Sequence, residues 1–129
     1  MEQRAVQLGK MLLNPDELKF TVTYNGEIFT LHYPNPMEKA QIEHEIARTL
    51  GGYPRTSFSE DHVYLVTATA YVNNLIIPEA SPKWFVSAWT CYDETLIATL
   101  YAEYVRFRDG FRERVSKGEL QGDSGKKQN

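Results

Sequence analysis

Four side chains in this sequence have the intrinsic chemistry of a metal ligand or a catalyst: His32, His44, His62 and the one cysteine, Cys91. A zinc-protease helix places two histidines four residues apart, with a glutamate beside the first, so that both imidazoles leave one helix face. His44-Glu45 begins that pattern, but Arg48 stands where the second ligand belongs. The pair reads as solvated helix face, and no metal is expected. A catalytic cysteine needs a stabilised thiolate and an oriented base. Neither is legible around Cys91, which lies in an aromatic stretch and reads as a small buried hydrophobe. Glu43 and Glu45 flank His44, and Glu60 adjoins Asp61. Adjacent residues do not face each other on a helix, so these are not acid–base pairs. Gly51-Gly52 lacks the Lys-Ser/Thr of a phosphate loop, and no serine occupies a G-x-S-x-G turn. The expectation is a protein that is not an enzyme and carries no cofactor. The competing enzyme reading is a cofactor-free pocket near His62, Cys91 and Tyr92, which would require a closed cleft and a titrating cysteine or histidine.

What the chain has in quantity is aromatic surface: 8 Tyr, 6 Phe and 2 Trp in 129 residues. Trp84, Phe85, Trp89, Tyr92, Tyr101, Tyr104, Phe107 and Phe111 crowd the last third. A core stripe with loop packing accounts for part of them. Tyr, Trp and Arg also dominate interface energetics, and a small domain cannot hide so many rings. The stretch FRDGFRER interleaves Phe107 and Phe111 with arginines, Arg108 among them. Candidate residues for partner binding or self-association are therefore Trp84, Phe85, Trp89, Tyr101, Tyr104, Phe107, Arg108 and Phe111.

The elements that must position these residues can be read along the chain. Residues 1–17 read as a short arm ending in the turn signal Asn14-Pro15-Asp16. In residues 18–33, Phe20, Val22 and Tyr24 alternate with Thr21 and Thr23; Ile28, Leu31 and Tyr33 recur less regularly beyond Asn25-Gly26. Asn-Gly between such arms predicts a hairpin with a type I′ turn, whose two central residues need positive φ. Asn35 and Pro36 suit a helix cap and its first position, and Ile42, Ile46 and Leu50 follow before Gly51-Gly52, predicting a helix over about 37–50. Ser57 or Ser59 precedes the acidic pair Glu60-Asp61 and opens a segment to residue 77. Its β-branched content leans towards strand, and its uninterrupted length leans towards helix. Val63, Val66, Ala70 and Ile77 fit one stripe, and a helix over about 60–77 is expected. The connection PEASPKWFVSAWTCYD carries a short helical or irregular turn between Trp84 and Trp89. Asp93 then caps a helix over about 94–117, with Leu96, Leu100, Tyr104, Phe107, Phe111 and Val115 as its stripe, arginines in its second half and Gly118 at its end. Residues 118–129 are polar and aromatic-free, and read as a flexible tail. The fold class is α+β and mainly helical: one globular domain over 1–117, an N-terminal hairpin, about three helices and the tail.

Bulk properties bound the partners. The hydrophobic fraction of 42% and charged fraction of 24% are globular values. A net charge of −3 argues against a dedicated nucleic-acid binder. Apolar runs are too short for a bilayer span or a signal peptide, and a single cysteine cannot make an internal disulfide. A soluble cytosolic protein, without membrane contact, is expected.

Across residues 18–115 the order of blocks resembles the bacteriophage tail assembly chaperones of long-tailed phages. The blocks are FTVTYNGEIFTLHYPNP, the helix AYVNNLII, the proline- and tryptophan-containing loop PEASPKWFVSAW, and the final YAEYVRFRDGFR pattern. The similarity is carried by apolar and aromatic patterns, most of it between Ala70 and Arg112. It implies a non-enzymatic factor that binds and solubilises the tape measure protein in the host cytoplasm and self-associates into multimers. It further implies an extended form that recruits tail tube subunits, and departure from the assembled particle. Such genes commonly end at a programmed −1 ribosomal slip, and Gly125-Lys126-Lys127 is the kind of sequence a slippery site encodes. The family fold it implies is mainly helical with a small β element. The alternative is a small virion structural protein, a tail completion or connector component.

Overall fold

The computed structural model describes residues 6–8 and 11–118. Its elements are β1 (Val6–Leu8), β2 (Met11–Leu13), β3 (Lys19–Tyr24), β4 (Glu27–His32), α1 (Pro36–Thr49), α2 (Glu60–Leu75) and α3 (Glu94–Lys117), with short 3₁₀ turns in the connections. The fold is mainly helical α+β, as the sequence predicts.

The first difference lies in the arm. β1 and β2 pair antiparallel, with Val6 opposite Leu13 and Leu8 opposite Met11. Three-residue strands are too brief to carry an alternation signal, so the sequence showed only the turn that follows. That turn forms as expected: the Asn14 side chain accepts from the Asp16 backbone N–H at 2.9 Å.

The second hairpin is the predicted one. Asn25 and Gly26 have φ of 50° and 81°, the left-handed pair a type I′ turn demands. The register sets Val22 opposite Phe29 and Phe20 opposite Leu31. One face thus gathers Phe20, Val22, Phe29 and Leu31 against the core. Ile28, grouped above with Leu31 and Tyr33, lies on the other face opposite Thr23 and is exposed. Strand side chains alternate, and Phe29 occupies the inward place.

α1 starts with a full capping box: the Asn35 side chain accepts from the Glu38 N–H, and the Glu38 carboxylate accepts from the Asn35 N–H, both at 2.8 Å. It buries Ile42 and Ile46, with Leu50 at its end. α2 is capped by Ser59, whose hydroxyl accepts from the His62 N–H. This helix buries Val66, Ala68, Thr69, Ala70, Tyr71, Val72 and Leu75, because it packs against both α1 and α3. A helix covered on several sides tolerates the β-branched residues that made the segment ambiguous. It stops at Leu75 instead of residue 77. Ile76 forms a bridge with Leu31, and the Ile77 N–H donates to the Thr30 carbonyl at 2.8 Å, so these residues extend along β4. Ile77 consequently leaves the predicted helical stripe.

α3 is capped by Asp93, which accepts from the Leu96 N–H, and is closed by Gly118 in the left-handed region at φ 69°. Leu96, Ile97, Leu100, Tyr104 and Phe111 are buried; the stripe runs off the core by Val115, which is exposed. Residues 119–129, to which the flexible tail and Gly125-Lys126-Lys127 belong, lie outside the described residues.

Candidate protein-binding surface

The eight candidate residues separate into two populations. α3 delivers the first as an internal column. Tyr104 is 1% exposed and stacks on Tyr71 of α2 at 5.3 Å between centroids. Phe107 stacks on Phe20 of β3 at 4.7 Å, and Phe111 meets Tyr33 at 4.9 Å. Tyr101 packs against Tyr64, Tyr71 and Tyr104. Arg108 lies over the Tyr104 ring at 6.0 Å and pairs with Asp109 at 3.1 Å. These rings join the helices to the hairpin. Tyr104 and Phe111 are withdrawn from solvent, and Tyr101, Phe107 and Arg108 are half-buried. Phe85 is buried as well, meeting Phe29 edge-on at 5.6 Å. Tyr104, Phe111 and Phe85 therefore stabilise the fold and present no contact surface: Tyr104 and Phe111 lie on the inward stripe of α3, and Phe85 of the α2–α3 connection is covered by Phe29.

Burial explains the phenol titrations in this column. Desolvation pushes Tyr104 up to about 12, with the neighbouring Tyr33 adding to it. Desolvation also raises Tyr71, and its hydroxyl donates to Glu43 at 2.8 Å, which favours the neutral phenol further.

The second population sits on the connection between α2 and α3. Here Phe85 and Ala88 point inward while Trp84, Val86, Trp89 and Tyr92 point out. Trp84 is 55% exposed, Val86 87% and Trp89 39%; Tyr92 is fully exposed. The connection is held at several places. Asn73 of α2 accepts from the Ala88 N–H at 2.9 Å and from the Ser87 hydroxyl at 3.2 Å. The Thr30 N–H donates to the Ser81 hydroxyl. Each indole is fastened to a carboxylate: Trp84 Nε1 donates to Glu27 at 2.9 Å, and Trp89 Nε1 donates to Glu45 at 2.6 Å. Tyr24 donates to Asp93 at 3.1 Å at the end of the connection, and partial desolvation together with that carboxylate raises its phenol. The result is a run of exposed apolar side chains along the connection, an apolar ridge in which both indoles are held by hydrogen bonds.

Val86, Tyr92, Glu27 and Glu45 were not singled out from sequence as parts of this surface. Tyr92 and Val86 carry no periodicity, and Glu27 and Glu45 are remote from the tryptophans in sequence. The nearest signal was two tryptophans within a proline-bounded connection.

The chemistry-bearing residues do not converge. His62 lies against Phe58 at 5.2 Å and lines an open groove of about 440 Å³ with Asp61, Tyr64, Leu65, Glu94 and Ile97. Cys91 and Tyr92 are not among the lining residues. His44 is exposed on α1, beside an opening that also includes Arg48 and Asn74. Among the described residues no group of three or more His, Cys, Asp or Glu side chains could hold a metal ion, and no helix is long and apolar enough to cross a membrane.

Comparison with protein-family models, curated proteins and solved structures finds no match to this chain.

Proposed function

We propose that this protein is a tail assembly chaperone of a long-tailed bacteriophage. In this reading it binds and solubilises the tape measure protein in the host cytoplasm, and it self-associates while doing so. An extended form recruits tail tube protein, and the chaperone leaves before the virion is complete. The observation that carries the reading is the exposed ridge of Trp84, Val86, Trp89 and Tyr92, which falls within the Ala70–Arg112 stretch that carries the family resemblance. A factor that holds a long apolar client needs adhesive surface with reversible contacts, and rigid aromatic anchors beside charged groups provide that without chemistry. A heterologous contact between copies would build an open helical array around an elongated client.

The test is co-expression with the longest reading frame downstream of this gene, followed by affinity capture and light scattering. The expected result is a soluble complex with many copies of this chain per client. An insoluble client beside a monomeric form of this protein would overturn the proposal. Recovery of this protein from purified particles would favour the virion-component alternative instead.

A further inference from the structure

The carboxylates that hold the two indoles take part in no ion pair among the described residues. Glu27 and Glu45 hold the two indoles, Asp93 follows Tyr92 in sequence, and Glu94 opens α3. Among the described residues none of these four takes part in an ion pair, whereas Glu43, Glu17, Glu103, Asp109 and Glu113 all do. Within residues 78–93 the charges are Glu79, Asp93 and the single cation Lys83. The exposed apolar surface is thus coupled to two carboxylates that no ion pair among the described residues engages, although Arg48 lines the same opening as Glu45 and Lys83 precedes Trp84. An apolar partner segment covering it would desolvate these carboxylates without compensation, at a cost that disfavours such a complex. A segment that brings its own cations to the rim gains charge-assisted contacts and faster encounter.

We infer that the Trp84–Tyr92 ridge docks a cationic amphipathic peptide segment of the client, with aliphatic side chains laid on the indoles and adjacent lysine or arginine side chains reaching Glu27 and Glu45. The inference rests on the chaperone reading and specifies which segments of a client the surface selects. The Trp84 indole reaches both oxygens of Glu27, and Glu45 accepts from Trp89 on one oxygen and from Asn74 on the other. Each carboxylate oxygen still has a spare lone pair and each group keeps its negative charge, so one glutamate can hold a tryptophan and receive a cation together.

The experiment uses the full chain and two fluorescein-labelled synthetic peptides, one of leucine and lysine and its counterpart of leucine and glutamate, read by fluorescence anisotropy. The leucine–lysine peptide should bind and weaken with added salt, and the leucine–glutamate peptide should not bind. The Glu27→Gln, Glu45→Gln double variant keeps an acceptor oxygen for each indole while removing both charges. It should fold as the parent does and bind about three- to tenfold more weakly. Trp84→Ala and Trp89→Ala should each lower binding, with melting temperature measured alongside to separate lost contact from lost fold.

Equal binding of the two peptides, or parental affinity in the double glutamine variant, overturns the inference. So does concentration-dependent self-association that is abolished by Trp84→Ala while neither peptide binds, because a second copy would then be the occupant. Co-expression of the double glutamine variant with the downstream reading frame separates the two failures. A full yield of soluble complex from that variant leaves the chaperone standing and removes the charge-based selection. Charge-dependent peptide binding without any client complex removes the chaperone reading.

Discussion

Tyr104 and Trp84 come from the same aromatic-rich third of the chain and end in opposite surroundings. Tyr104 belongs to a continuous helix whose apolar residues recur at spacings of three and four, and the fold closes over that stripe with Tyr71 and Tyr33. Trp84 belongs to a connection between two prolines and the next helix cap, where the backbone follows no period. There the fold buries Phe85 and Ala88 and leaves the tryptophans outside. Aromatic content alone therefore reports neither core nor interface. Periodicity separates them: rings on a regular stripe build the core, and rings on an irregular segment stay accessible when neighbouring residues already fill the inward positions. The two indoles differ from a frayed surface in being fastened to Glu27 and Glu45, which lowers the entropy they would lose on binding.

The largest effect expected on either side of this comparison is Tyr104→Ala. Removing a fully buried ring from the α2–α3 contact should cost about 3–5 kcal/mol, read by urea unfolding, whatever partner is present. A loss near zero would place Tyr104 outside the core and collapse the distinction. Alkaline titration tests the same column by another route. The folded-state value of Tyr104 lies near 12, above the ordinary phenol value of about 10. Its contribution to stability is therefore intact below pH 10 and declines as pH rises towards 12, because the unfolded chain releases that proton first. Absorbance of phenolate and far-ultraviolet circular dichroism should change together over that interval. Ionisation of every tyrosine near pH 10 with the fold intact would contradict it.

On the ridge, Trp84→Ala and Trp89→Ala should reverse the balance. Each should cost about 1 kcal/mol of stability yet reduce recovery of client complex or self-association in the capture experiment. Variants that assemble normally would remove the ridge as an interface. The smallest effect should follow truncation after Gly118, which removes a polar segment without aromatic side chains. Its melting temperature should correspond to a change under about 0.5 kcal/mol, and a larger drop would show that the fold uses residues beyond α3.

Much of the architecture was legible because single residues enforce it. Asn25-Gly26 permits little but a tight hairpin turn. Asn35 with Pro36 starts α1, Asp93 starts α3, and Gly118 ends it; each signal acts through its own backbone within a few residues. α2 was harder, because its β-branched residues and its length argue in opposite directions, and packing from both sides decided in favour of helix. Its end two residues early, at the Leu31–Ile76 bridge, depends on a strand more than forty positions earlier in the chain, and no local pattern encodes such a partner. The β1–β2 pairing escaped notice because strands of three residues leave no periodic trace.

The candidate site divides along the same line. The sequence by itself determined that the chain carries an excess of aromatic side chains, that its helices and hairpin start and stop where local chemistry permits, and that its histidines and cysteine follow no catalytic or metal-ligating pattern. Only the tertiary structure decided which rings face solvent. Exposure depends on whether residues distant in the chain fill the space above a side chain. For Trp84 and Trp89 those distant residues are Glu27 and Glu45, which fasten each indole by its N–H and leave the rings accessible.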